Sequence, residues 1–119
     1  MKILAVDDDP FIRELLPVVF READYPYLTL ADSGAAALEL LETTKDHFDC
    51  LLLDIEMPEM DGIEALRRLR EQNISSRIVM FTVSDQEDDV VAALRAGADG
   101  YLLKDMEPED MINQLHQAA

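Results

Sequence analysis

Five side chains able to hold a cation or handle a phosphoryl group each follow an apolar run. Asp7 and Asp8 come directly after Ile3-Leu4-Ala5-Val6, and Asp54 after Leu51-Leu52-Leu53. Thr82 follows Ile78-Val79-Met80-Phe81, and Lys104 follows Tyr101-Leu102-Leu103. An aspartate can attack phosphorus and carry an acyl phosphate, while a cation, a lysine and a hydroxyl neutralise the equatorial oxygens. Carboxylates brought within a few ångströms repel, so without a cation at least one should have a raised pKa. Oxygen-only ligands favour magnesium, manganese or calcium over zinc. Magnesium suits phosphate best, because it keeps waters and shares its sphere with the substrate. The residues themselves thus make Asp54 the nucleophile, Asp7 and Asp8 metal ligands, and Thr82 and Lys104 contacts to the phosphoryl group. Each has a bland alternative: an acidic pair after a strand is often a helix cap, a role open to Asp9, and a lysine or threonine ending a strand is common. All four sites at successive strand ends of one short chain are hard to explain as surface decoration.

Short apolar runs bounded by charge or turn signals read as buried parallel strands. In an open parallel sheet the strand C-termini line one crevice, where ligands bind. The pattern alternates strand and helix five times. Strands are expected near residues 2–6, 27–31 (an edge strand), 50–54 and 77–82, with a fifth after Asp99-Gly100. The first helix starts near Pro10, which suits a first-turn position, and presents Ile12, Leu15, Leu16, Val19 and Ala23 on one face. Pro17 should kink it, because it removes an internal hydrogen bond. Ser33 is a plausible N-cap for a helix to about Glu42. Further helices are expected from Asp61-Gly62 to Arg70, over 85–95 with Gly97 as C-cap, and over 107–117 with Met111, Ile112 and Leu115 facing inward. The acidic first turn of that last helix suits its dipole. Connections this short imply right-handed crossovers and a doubly wound α/β sheet in one domain, residues 1–119.

The chain carries 26 acidic against 10 basic residues, a net charge of −16. Repulsion from a phosphate backbone argues against direct nucleic-acid contact and favours cationic partners or bound metal. No apolar stretch is long enough to span a bilayer. The start enters a strand without a signal-peptide layout. The lone Cys50 reads as a reduced core residue, and a cytoplasmic setting is expected. His47 and His116 are isolated, so neither metal binding nor phosphorelay through them is expected. Met57, Met60 and Met80 read as loop packing and core.

The residues Val6-Asp7-Asp8-Asp9-Pro10, Leu53-Asp54-Ile55-Glu56-Met57-Pro58 with Met60-Asp61-Gly62, Phe81-Thr82, and Gly97 to Lys104 carry a resemblance. Together they make the chain similar to the CheY-like receiver domain of two-component response regulators over essentially its whole length. The resemblance implies a flavodoxin-like sheet in the order 2-1-3-4-5 with five helices. It implies that Asp54 accepts a phosphoryl group from a histidine kinase's phosphohistidine. Magnesium would be held by Asp8, Asp54 and the backbone carbonyl of Glu56, with Asp7 acting mainly through water. It also implies a switch in which Thr82 moves toward the phosphoryl oxygens and Tyr101 turns inward. The fourth helix, fifth strand and fifth helix would respond, and could form a homodimer face.

Most relatives have proline after the lysine, whereas Asp105 follows Lys104, which puts a cis peptide there in doubt. Lys-Asp is usual in NarL/FixJ-type regulators, and residues 77–118 resemble that subgroup closely. The first half reads as a generic receiver, an unevenness that a chimeric or redesigned origin would explain. Val83 is bulkier than the small residue common there and should narrow access to the phosphate. Glu56 and Ser84 stand where this family tunes phosphoryl lifetime. The expected function is therefore a phosphorylation switch controlling transcription through an output domain outside this chain, without small-molecule turnover. The rivals are a stand-alone receiver or interaction scaffold, and a phosphatase using an aspartyl intermediate with Asp7 and Asp9 as its acid pair.

Overall fold

A computed structural model describes residues 2–24, 27–43, 47–57 and 60–118. Pro58 of the motif above lies outside these residues, as does the side chain of His116. The elements run β1 (Ile3–Val6), α1 (Pro10–Glu22), β2 (Leu28–Ala31), α2 (Gly34–Thr43), β3 (Cys50–Leu53), α3 (Gly62–Glu71), β4 (Arg77–Thr82), α4 (Glu87–Ala96), β5 (Gly100–Leu103) and α5 (Pro108–Ala118). The strands form one parallel sheet in the order β2-β1-β3-β4-β5.

β1 and β3 are buried along their whole length, which is why their sequences are continuously apolar rather than alternating. Successive side chains still point to opposite faces. Leu4, Val6, Leu51, Leu53, Ile78 and Met80 pack with Ala37, Leu38, Leu66, Leu69 and Ala93 of α2, α3 and α4. On the other face Ile3, Ala5, Leu52, Val79 and Phe81 meet Ile12, Leu16 and Phe20 of α1 and Met111, Ile112 and Leu115 of α5. Cys50 is in this second core, and burial pushes its thiol up to about 12. Met57 and Met80 are buried and Met60 packs against the first core, as expected for packing residues.

Local signals set the helix ends. The Asp9 side chain accepts the Phe11 N–H and Pro10 opens α1. The helix runs unbroken through Pro17 to Glu22. Ser33 Oγ accepts the Ala36 N–H at the start of α2, and Asp61 Oδ1 accepts the Glu64 N–H at the start of α3. Gly97 ends α4 with φ +110°, a conformation that penalises any Cβ. Element ends shift by a residue or two from those expected: β3 stops at Leu53, so Asp54 lies just past the strand, and α4 begins at Glu87 after Gln86, its extended N-cap.

The far end of the sheet is tied by Arg70. Its guanidinium donates to the carbonyls of Ile74, Ser76 and Gly97 and to Asp99 Oδ2 at 2.7–3.2 Å. Asp99 also accepts the Ile78 N–H at 2.9 Å. One helix side chain thereby fixes the starts of β4 and β5, at the end of the sheet opposite the rim where Asp7, Asp54 and Lys104 lie.

Candidate functional site

The strand ladder delivers the candidate residues. Val6 and Leu53 are register partners, and the ladder extends one residue further on this side. The Asp7 N–H donates to the Ala31 carbonyl at 3.0 Å, and the Asp54 N–H to the Val6 carbonyl at 3.2 Å. Thr82 and Leu103 are partners at the other end of the rim, and the Lys104 N–H donates to the Thr82 carbonyl at 2.9 Å. Four backbone segments distant in sequence are therefore pinned side by side.

Lys104 Nζ lies 2.7 Å from Asp7 Oδ2 and 2.9 Å from Asp54 Oδ2, and the three side chains are at most 7% exposed. Asp7 Oδ1 accepts the Asp9 N–H at 2.9 Å, and Asp54 Oδ1 the Glu56 N–H at 3.3 Å. A carboxylate oxygen has two lone pairs, so each keeps one for a cation or a phosphorus atom. Asp8 is the more open member, and Asp7, Asp8 and Asp54 offer oxygens all within 4.8 Å of one another. When all are ionised, three carboxylates against one ammonium leave two negative charges, the charge one divalent cation cancels. With oxygen donors only, this group could hold a metal ion of the hard class.

The electrostatics agree with such a cluster. Burial pushes the Asp7 carboxyl above its ordinary range, and its bonds from Lys104 and Asp9 only partly counter that. Burial would lower Lys104, but its bonds to Asp7 and Asp54 outweigh it and hold the ammonium above its ordinary value.

Thr82 is completely buried. Among the described hydrogen bonds its hydroxyl engages the Ser84 N–H at 3.3 Å and not the carboxylates. Tyr101 is half-buried and its hydroxyl donates to the Ser84 carbonyl at 2.9 Å. Val83 stands 64% exposed directly after Thr82. The Glu56 side chain is exposed, while its N–H faces Asp54. The described peptide bonds are all trans, the Lys104–Asp105 bond among them. His47 is exposed on the surface.

Two contributors were not assigned a site role from the residues. Gly62 sits so close to the Asp54 loop that a Cβ would lie 1.9 Å from the Asp54 carbonyl oxygen and 2.9 Å from Ile55 Cα. Its N–H donates to the Ile55 carbonyl at 2.9 Å, holding that loop against α3. The Asp-Gly pair at 61–62 was the available signal; it reads as a helix start, not as a support for the loop that carries Asp54. Ser84 is the second; its local sequence does not mark it, and only the family resemblance singled out its position.

A parallel sheet with three carboxylates and a lysine at one rim defines a known class of domain. The chain belongs to the response regulator receiver domain family, whose model matches residues 3–116. It is 48% identical over 118 residues to the nitrate/nitrite response regulator protein NarL of Escherichia coli (strain K12), covering 98% of this chain and 54% of that protein. It is 39% identical over 110 residues to the alkaline phosphatase synthesis transcriptional regulatory protein PhoP of Bacillus subtilis, covering 92% of this chain and 45% of that one. The chain thus spans about half the length of these curated relatives. Among solved structures, Vibrio cholerae chemotaxis protein CheY4 superposes with a TM-score of 0.89 at 29% identity, over 99% of this chain and 98% of that one. The NarL match supports the NarL/FixJ resemblance, and the observed strand order is the flavodoxin-like one.

Proposed function

We propose that this domain takes a phosphoryl group on Asp54 from the phosphohistidine of a histidine kinase and uses it to switch a protein-contact surface. The observation that carries this reading is the Lys104 ammonium lying within 2.9 Å of both Asp7 and Asp54, beside the Asp8 carboxylate. A free lone pair of Asp54 attacks phosphorus, the P–N bond to the donor imidazole breaks, and an acyl phosphate forms. Loss follows by water attacking the same phosphorus, which restores the carboxylate and releases inorganic phosphate. A magnesium ion, held by Asp7, Asp8, Asp54 and the Glu56 carbonyl, would neutralise the phosphoryl oxygens. Lys104 would supply a fixed positive charge beside the Asp54 carboxylate, and Thr82 a hydroxyl for a remaining oxygen. No small molecule is turned over beyond the phosphodonor.

Phosphorylation would shift Thr82 and the Tyr101 ring, and with them α4, β5 and α5. That surface carries exposed Val91 and Leu94 on α4, which suits it to protein contacts, a homodimer among them. The charge of −16 sets it against direct nucleic-acid contact. Control of transcription through an attached output domain in the cytoplasm is the reading supported by the NarL and PhoP relatives. A stand-alone receiver is the second reading, supported by the end-to-end match to the CheY4 structure. Intact-mass measurement after incubation with acetyl phosphate and magnesium tests the chemistry. One phosphoryl adduct is expected, absent in Asp54→Asn; an adduct persisting in that variant would refute the assignment.

A further inference from the structure

The loop between β4 and α4 converges on one residue. Ser84 is 9% exposed, and all its polar groups are engaged. Its N–H donates to Thr82 Oγ1 at 3.3 Å, and its carbonyl accepts the Tyr101 hydroxyl at 2.9 Å. Its own hydroxyl donates to Asp89 Oδ2 at 2.5 Å and accepts the Gln86 N–H at 3.4 Å. Gln86, the N-cap of α4, makes no side-chain cap bond; the Ser84–Asp89 bond instead ties the loop to the first turn of α4 through side chains.

A serine hydroxyl has one proton and rotates to suit its partner. Giving that proton to Asp89 fixes the rotor and the loop backbone with it. The fixed amide then occupies one lone pair of Thr82 Oγ1, which leaves the Thr82 proton free for an incoming oxygen. The fixed carbonyl holds the Tyr101 ring against the loop.

We propose that Ser84 is a positioning residue: its bond to Asp89 couples the Thr82 hydroxyl, the Tyr101 ring and the first turn of α4 before any phosphoryl group arrives. The proposal goes beyond the phosphoryl-acceptor reading and rests on it only for the consequence on rate. Asp89 is then the distal half of the device, three residues into the helix and outside the acidic cluster. Loss of the bond frees Tyr101 and lets the Thr82 hydroxyl wander, so phosphoryl acceptance slows.

The test uses protein labelled with 3-fluorotyrosine and its fluorine NMR spectrum without phosphodonor. The chain has three tyrosines, and Tyr101→Phe identifies the Tyr101 resonance. Ser84→Ala and Asp89→Ala should each shift or broaden that resonance. They should also slow adduct formation from acetyl phosphate by roughly two- to tenfold, the range one hydrogen bond's net contribution allows. Asp89→Asn keeps an acceptor oxygen and should restore both readouts toward the wild type, which a charge or dipole effect alone would not do. The double alanine variant should be no worse than either single one. An unmoved Tyr101 resonance in both alanine variants overturns the proposal, as does an additive double variant. A wild type that takes no adduct overturns only the phosphoryl-acceptor reading, and the Tyr101 resonance still decides the coupling.

Discussion

Replacing Lys104 by methionine separates what the lysine does for the fold from what it does for the chemistry. Methionine keeps much of the stem and removes the charge that Asp7 and Asp54 share at 2.7 and 2.9 Å. Breaking a buried ion pair by removing one partner costs about 3 kcal/mol or more. For a chain of 119 residues, each kcal/mol moves the melting temperature by about 4 °C. The metal-free variant should therefore melt ~12 °C below the wild type.

The same substitution should strengthen magnesium binding. Lys104 occupies one oxygen of each of two carboxylates whose group spans 4.8 Å, and so competes with an added cation. Removing a unit charge about 5 Å from a divalent ion changes their energy by about 7 kcal/mol at an effective dielectric of about 20. Water and salt at the open Asp8 side reduce this. A tightening of about tenfold, ~1.4 kcal/mol, is the expected result. Thermal unfolding in chelator and across a magnesium titration reads both quantities. Bound magnesium should raise the melting temperature of Lys104→Met by more than that of the wild type, while its phosphoryl adduct becomes slow or absent. A variant that binds magnesium more weakly than the wild type would refute the placement of Lys104 as the cluster's competing cation.

Two further outcomes are expected. Gly62→Ala forces a methyl to within 1.9 Å of the Asp54 carbonyl oxygen, so backbone must move; a loss of about 1–3 kcal/mol in urea unfolding should come with a slowed adduct, and normal adduct kinetics would sink this. Asp99 gives the pH dependence: burial would raise its carboxyl, but the Ile78 N–H and Arg70 hold it below the ordinary 3.8. A depressed carboxylate contributes stability at pH above its unfolded value, and that contribution is lost as pH falls through the folded one. Asp99→Asn should therefore be clearly less stable than the wild type in urea unfolding at pH 7, with the gap narrowing at pH 3; a gap that widens in acid would contradict the sign.

What could be read in the chain follows from the range of the physics involved. Strands buried on both faces must be apolar throughout, so β1, β3 and β4 announce themselves, and the polar residue ending each run falls on the rim because parallel strands all end on the same side. Caps act within three or four residues, and Asp9, Ser33, Asp61 and Gly97 were legible for that reason. Partners far apart in sequence are another matter. Lys104 meets Asp54 across 50 residues, and which oxygen it takes depends on register. Register is fixed by the packing of both cores, and a one-residue slip would turn each side chain to the opposite face. Arg70 looks like one more charge at the end of an amphipathic helix, yet its guanidinium lies among carbonyls of two different loops, those that lead into β4 and β5. The resemblance singled out the position of Ser84, but not its partners. Its hydroxyl meets Asp89 and its carbonyl meets Tyr101, 17 residues further on, and only the folded chain brings these to one residue.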